Sequence, residues 1–379
     1  MHRSAAATSR FRRRGGRFCD RDPRPGRTLG GRSVGLPTQA CLALGLALLT
    51  APARAEDPFR DPVAQPFAST SIWNTPLGRG ATFQPGDAAE TALLRNQNAG
   101  GPAGAYAWIG GHAFGIYRQG PNDPERTWTY RGRPPTVPWP HGGSPGGGRF
   151  TLRTPPGIAF LGGTDRHAVL VDAEGRYAYE MWLGAHDPAR NLYSAQYLVR
   201  TDLRGSGIAA TPGAAEGVRA FGGSLVGGLV RRAELDRGEI RHAIAMAAST
   251  SQASPTRIVW PASSTDGGGH NAHTGVIPMG ALFAIPPQVD LGRLGLTTPE
   301  GRALARAFQD FGGYITDTAA RTLVIAYLEE GCTEQQINHL QSDKDKILSV
   351  LAMVTNNDAA HPGGPGPRVT APPPPLKGE

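Results

Sequence analysis

The chain has 379 residues, 39 of them basic and 31 acidic, with 52 glycines, 34 prolines and a net charge of +8. Residues 1–55 hold 11 arginines against 2 aspartates, which leaves 28 basic and 29 acidic residues for everything after them. The bulk of the chain is therefore near neutral, and its charge excludes a general nucleic-acid binder or a protein drawn to a strongly anionic membrane surface.

Residues 1–55 read as a cleavable signal region. An arginine-rich stretch precedes the apolar run from Ala40 to Ala51, and Ala53-Arg54-Ala55 fits a small-x-small cleavage site, with Glu56 as the new first residue. The apolar run is shorter than the roughly 20 residues a spanning helix needs, so no stable membrane anchor is expected. Cys19 and Cys41 lie in this region and Cys332 is alone after it, which predicts no disulfide framework. Residues 56–355 read as a single secreted domain, released or periplasmic, acting as a monomer.

Short apolar runs separated by Gly and Pro predict strands joined by turns, hence a mainly β fold, a β-sandwich or jelly roll. Strand character is expected over 158–161, 167–171, 177–182, 240–247, 257–260, 281–285, 314–316 and 322–327. Gly142 to Gly148 reads as a flexible loop. Two short helices are expected near the C-terminus. One opens with Thr298 as N-cap and Pro299 in the first turn and carries Leu304, Phe308 and Phe311 at helical spacing; the other opens with Thr333 and Gln336 as a capping box. The Pro- and Gly-rich tail, 356–379, has too little apolar surface to order itself.

Several side chains in this frame could carry chemistry. Alternation along 177–182 puts Glu180 and Trp182 on one face, a pairing suited to sugars: the ring packs a C–H face while the carboxylate serves the glycosidic oxygen. Tyr179 lies on the opposite face as a further aromatic contact. Asp317 shares a face with apolar Ile315 and must be paired, hydrogen-bonded or in a cleft. His242 faces as Ile240 and Ile244 do, as a core histidine or a cleft base. Arg166 and His167 stand where a strand begins, at a sheet rim. Asp266, His270 and His273 could gather a divalent metal, although they lie in a Gly-rich loop with no third ligand fixed by spacing; otherwise no cofactor is expected. No nucleophile elbow, zincin helix, dinucleotide fingerprint or phosphate loop is present.

The segments Asp165-Arg166-His167, Tyr179-Glu180, Asp202-Leu203-Arg204, GEIRHAI from Gly238, WPASSTD from Trp260 and PMG from Pro278 resemble a family of secreted bacterial β-rich proteins of poorly defined activity. The likeness runs from about Ser71 to Asp317. It implies a secreted β-rich domain facing extracellular polysaccharide, with no catalytic assignment. The insert GGGHNAHTGVI between STD and PMG departs from the family pattern and leaves a metal role for His270 and His273 without support from it.

Together these features predict an enzyme that cleaves an extracellular polysaccharide. Glu180 and Asp317 are its acid and base; His167, His242 and Arg166 assist, and Trp182, Tyr179 and Trp260 bind sugar. Hydrolysis leads over β-elimination because no basic groove is visible. A non-catalytic glycan-binding or envelope protein is the alternative.

Overall fold

The computed structural model describes residues 58–96, 106–109, 114–131, 148–161, 163–209, 211, 215–266 and 273–379, of which 106–109 and 131 are described by their backbone alone. The signal region, nearly all of loop 142–148 and His270 lie outside the described residues. The fold is mainly β. Six strands form one sheet in the order β1 (Tyr106–Ile109), β14 (Thr322–Ala326), β9 (Ile244–Ala248), β13 (Gly313–Thr318), β12 (Leu282–Ala284) and β15 (Ala352–Met353). A second sheet runs β2 (Ile116–Arg118), β5 (Ala168–Val171), β6 (Tyr177–Trp182), β8 (Leu192–Asp202), β3 (Glu125–Arg131) and β4 (Gly148–Arg153), with β7 (Ala185–Asp187) added on β8. A separate pair joins β10 (Ala253–Ile258) to β11 (Ile277–Met279). Both large sheets mix parallel pairs, such as β9 with β13 and β3 with β8, with antiparallel ones. A purely antiparallel jelly roll has no such mixture.

Burial follows the strand period. On β5, Val169 and Val171 face the larger core while Ala168 and Leu170 face a second one built around Trp128, Phe150 and Tyr193. On β6, Ala178 points to the first core and Tyr179 and Met181 to the second. At β5 and β6 the second sheet is therefore covered on both faces, whereas on β4 Arg149, Thr151 and Arg153 are exposed, so parity alone does not tell which side chains of the central strands reach solvent.

The helices expected near the C-terminus form as α3 (Pro299–Asp310) and α4 (Glu334–Leu348), preceded by the shorter α1 (Ala89–Arg95) and α2 (Arg232–Arg237). Thr298 Oγ1 accepts from Gly301 N–H at 3.0 Å, and Thr333 with Gln336 closes a capping box. Buried Asp343 on α4 accepts from the backbone N–H of Thr297 and Thr298, tying the two helices together.

Residues 356–379 overturn the reading of a tail without order. The segment lies along residues 60–82: Arg60 N–H donates to Pro375 O, Gly80 N–H to Pro365 O and Val369 N–H to Leu77 O. Arg368 Nη1 donates to the carbonyls of Pro76, Pro362 and Gly364, and Leu376 is buried. A segment poor in apolar side chains is held through its backbone carbonyls, which composition does not report.

Candidate active site

Asp317 is the residue around which a site assembles. Between Ile315 and Asp317 the pairing of β13 with β9 slips, so that Ile315 opposes Met246 and Asp317 opposes Ala247. The extra residue, Thr316, is buried and donates its hydroxyl to Met246 O at 3.0 Å. A bulge of this kind turns the following side chain away from its alternating position. Asp317 therefore leaves the apolar face of Ile315, where strict alternation puts it, and enters a cleft of about 320 Å³.

That cleft lies where the two sheets meet. The end of β13 contributes Asp317 and Thr318, the turn to β14 Ala319 and Ala320, and the segment entering β5 Thr164, Asp165 and His167, with Phe114, Thr322 and Tyr327 also in the wall. Phe114 stacks on Tyr327 with centroids 5.3 Å apart and meets the His167 ring edge-on at 5.0 Å. Asp317 accepts from Thr318 N–H at 2.9 Å, and the Thr318 hydroxyl donates to Asp266 Oδ2 at 2.7 Å. Burial pushes the Asp317 carboxyl from its ordinary 3.8 up to about 7; the nearby charges of Asp266 and Asp165 add to the rise, and Arg219 opposes it.

Arg219 is fully buried. Its guanidinium carbon sits 4.2 Å from the centre of the Tyr327 ring and 5.2 Å from that of Phe114, within reach of cation–π attraction to both. Nη2 donates to Leu225 O at 3.1 Å. The loop that carries Arg219 is pinned at both ends. Phe221 N–H donates to Thr316 O at 3.1 Å, on the bulge itself, and Glu180 accepts from Val218 N–H at 3.2 Å, Leu225 N–H at 2.7 Å and the Ser224 hydroxyl.

Glu180 is thus wholly buried beneath that loop, on the Ala178 side of β6, and does not line the cleft. Burial raises its pKa against those three hydrogen bonds and Arg219. The pairing of Glu180 with Trp182 as a sugar-facing surface does not form, because the loop covers one and leaves the other at the strand end. Half-buried Trp182 stacks on Tyr197 at 5.3 Å and donates Nε1–H to Asp165 Oδ1 at 3.3 Å. Tyr179 belongs to the second core, stacked on Phe150 at 6.4 Å, with its hydroxyl pushed by burial up to about 12. It has no surface to offer a sugar.

The other expected residues disperse. His167 lines the cleft. His242 is buried elsewhere: Nε2 lies 3.1 Å from Glu234 Oε2 and Nδ1 lies 2.9 Å from Ala243 O. Although desolvation lowers its pKa, the Glu234 carboxylate outweighs that and raises it. The bland account of a hydrogen-bonded core histidine fits this geometry, and a cleft base does not. Arg166 points into a neighbouring groove rather than the cleft. Trp260 packs on the first core, and its carbonyl accepts from Asn357 Nδ2 at 3.5 Å.

Among the described residues no group of three His, Cys, Asp or Glu side chains could hold a metal ion. Asp266 is engaged by Thr318, His273 is buried with neither ring nitrogen hydrogen-bonded, and His270 lies outside the described residues. Burial and Glu329 push the Cys332 thiol up to about 12, as suits a structural cysteine.

Sequence reasoning missed Arg219, Tyr327 and Phe114 as parts of the site. Arg219 sits in a Gly-rich loop without periodicity, Tyr327 stands at the end of the strand expected over 322–327, and no pattern marks Phe114. Asp165 appeared within Asp165-Arg166-His167 and was the one signal that could have been followed. A scan against protein-family models, a search of curated proteins and a search of solved structures each found no match.

Proposed function

We propose that the chain is an exported, monomeric carbohydrate-active enzyme that hydrolyses glycosidic bonds of an extracellular polysaccharide, with Asp317 as general acid. One observation carries the reading: a carboxyl whose pKa is raised to about 7 stands in a cleft that Asp165 also lines, with the charge of Asp266 near enough to add to the rise. Glycosidases commonly pair a carboxylic acid that protonates the leaving oxygen with a carboxylate that activates water or attacks the sugar. Asp317 gives its proton to the glycosidic oxygen as the bond to the anomeric carbon breaks. Asp165 then takes a proton from the attacking water or forms the covalent glycosyl ester that water later opens.

Hydrolysis is favoured over β-elimination because, among the described residues, no lysine or arginine lines the cleft while two acids do. A uronate at the cleavage point would be repelled, and a lyase needs its carboxylate neutralised. Among the described residues no helix is long and apolar enough to cross a membrane. The half-buried Trp182–Tyr197 stack beside Asp165 supports a second reading, a glycan-binding protein without turnover.

Purified protein is incubated with a broad glycan panel, and new reducing ends are measured for the natural sequence and for Asp317→Asn. Release that disappears in the variant is expected. Absence of release from every glycan overturns the enzymatic reading, and ultraviolet-absorbing unsaturated ends would replace hydrolysis by elimination.

A further inference from the structure

Beside the cleft lies a second groove of about 430 Å³, lined by Thr129, Arg166, Leu183, Ser194 and Gln196 among others, over β3 and β8. Consecutive residues serve the two cavities, since Asp165 lines the cleft and Arg166 the groove. Their charges are opposite. Among the described residues, the cleft is lined by Asp165 and Asp317 and by no lysine or arginine, and the groove by Arg166 and by no acid. Arg166 is exposed, and its guanidinium is paired with no carboxylate among the described residues.

The backbone holds this junction in an unusual form. Arg166 (φ 48°) and Leu183 (φ 52°) both adopt left-handed conformations that favour glycine, and the two segments are cross-linked by Leu183 N–H to Asp165 O at 2.8 Å and Gly184 N–H to Arg166 O at 3.0 Å. Such geometry persists where surrounding structure enforces it and gathers at ligand sites. Here it sends two consecutive side chains into different cavities. Trp182, stacked on Tyr197 and bonded to Asp165, stands beside the junction as an aromatic surface on which a sugar ring can pack.

We infer that the Arg166 groove is a subsite for an anionic sugar adjoining the sugar whose bond is cut, so that the substrate is a polysaccharide in which acidic units stand next to neutral ones. A planar guanidinium grips a carboxylate or sulfate ester through paired N–H donors, while Ser194, Gln196 and Thr129 are polar groups suited to ring hydroxyls. The acidic cleft rejects the same charge one unit away. This inference rests on the hydrolytic reading for the identity of the cleft, and its test does not need turnover.

Binding is measured by calorimetry on Asp317→Asn protein with three hexasaccharides: neutral chitohexaose, a hyaluronan hexasaccharide with a carboxylate on alternate units, and neocarrahexaose with a sulfate ester on alternate units. At least one anionic ligand should bind about tenfold more tightly than chitohexaose, in keeping with a charge-assisted pair. Adding Arg166→Gln should remove that preference, and Arg166→Lys should restore part of it, which separates lost charge from misfolding. The two anionic arms tell carboxylate from sulfate. Equal affinity for all three, indifference to Arg166→Gln, or no binding at all overturns the subsite. If the Arg166-dependent preference holds but the natural sequence cleaves nothing in the glycan panel, hydrolysis falls and the subsite stands.

Discussion

Arg219 lies across the ring of Tyr327, its guanidinium carbon 4.2 Å from the ring centre, and from that buried position its charge acts on Asp317. The cation opposes the desolvation that holds the proton on Asp317. Replacing Arg219 with Gln removes the opposition, so the Asp317 proton should leave at higher pH. With Asp317 as the general acid proposed above, the alkaline limb of kcat/KM is expected near pH 7 in the natural sequence and should move upward in the variant. A profile that stays in place, with folding confirmed by its thermal transition, would show that Asp317 does not govern the rate.

Asp317→Asn should abolish turnover and change how stability responds to pH. The folded-state pKa of about 7 exceeds the ordinary 3.8, so the folded protein keeps a proton that the unfolded chain has released. Stability then falls as pH rises from about 4 to about 7, by at most roughly 1.4 kcal/mol per pH unit. Glu216, pushed by burial from 4.5 up to about 8, adds a slope of the same sign. Denaturant unfolding across this range should give a shallower decline in Asp317→Asn than in the natural sequence.

Glu180→Gln tests position rather than chemistry. The carboxylate accepts from Val218, Ser224 and Leu225, and an amide presents one acceptor oxygen in place of two. A loss of about 1–3 kcal/mol is expected, with turnover reduced through displacement of Arg219. Gly217→Ala should also displace the loop, since a Cβ there would overlap Gly223 O and Ser224 Cα and stand 2.6 Å from Glu180 Oε2. Full activity in both variants with lowered stability would detach the loop from the site.

His242, buried and held by Glu234, is expected to contribute to the fold rather than to turnover. Its folded pKa is raised by Glu234, so the stabilisation is fully present below the unfolded value near 6.5 and is lost as pH rises through the folded one. Glu234→Gln should weaken the protein most on the acid side of that window. Specific activity of the folded fraction should be unchanged, and a large fall in kcat would return His242 to the list of catalytic groups.

Removing residues 356–379 should lower stability by at least about 2 kcal/mol, the order of burying one leucine such as Leu376. The lost hydrogen bonds to Arg60, Gly80 and Leu77 add to this. An unchanged unfolding midpoint after truncation would mean that the segment lies on the domain without supporting it.

Much of the local structure was legible in the residues. The strand expected over 177–182 is β6, residue for residue, and that over 322–327 is β14 to within one position. Thr298, Pro299, Thr333 and Gln336 marked where α3 and α4 begin, because caps act through neighbours three positions away. The site was legible as a set of candidate side chains and not as an arrangement. Alternation assigned Asp317 to the face of Ile315, and the bulge at Thr316, supported by Met246 and Phe221 from distant segments, re-aimed it. Glu180 looked open by parity, and a loop some 40 residues on covers it. The sequence by itself determined the turn-rich strands, the helix starts and which residues could ionise. Which of them face water, which neighbour shifts a proton, and that the tail binds at all were decided by tertiary contacts, since burial and charge proximity belong to pairs of residues far apart along the chain.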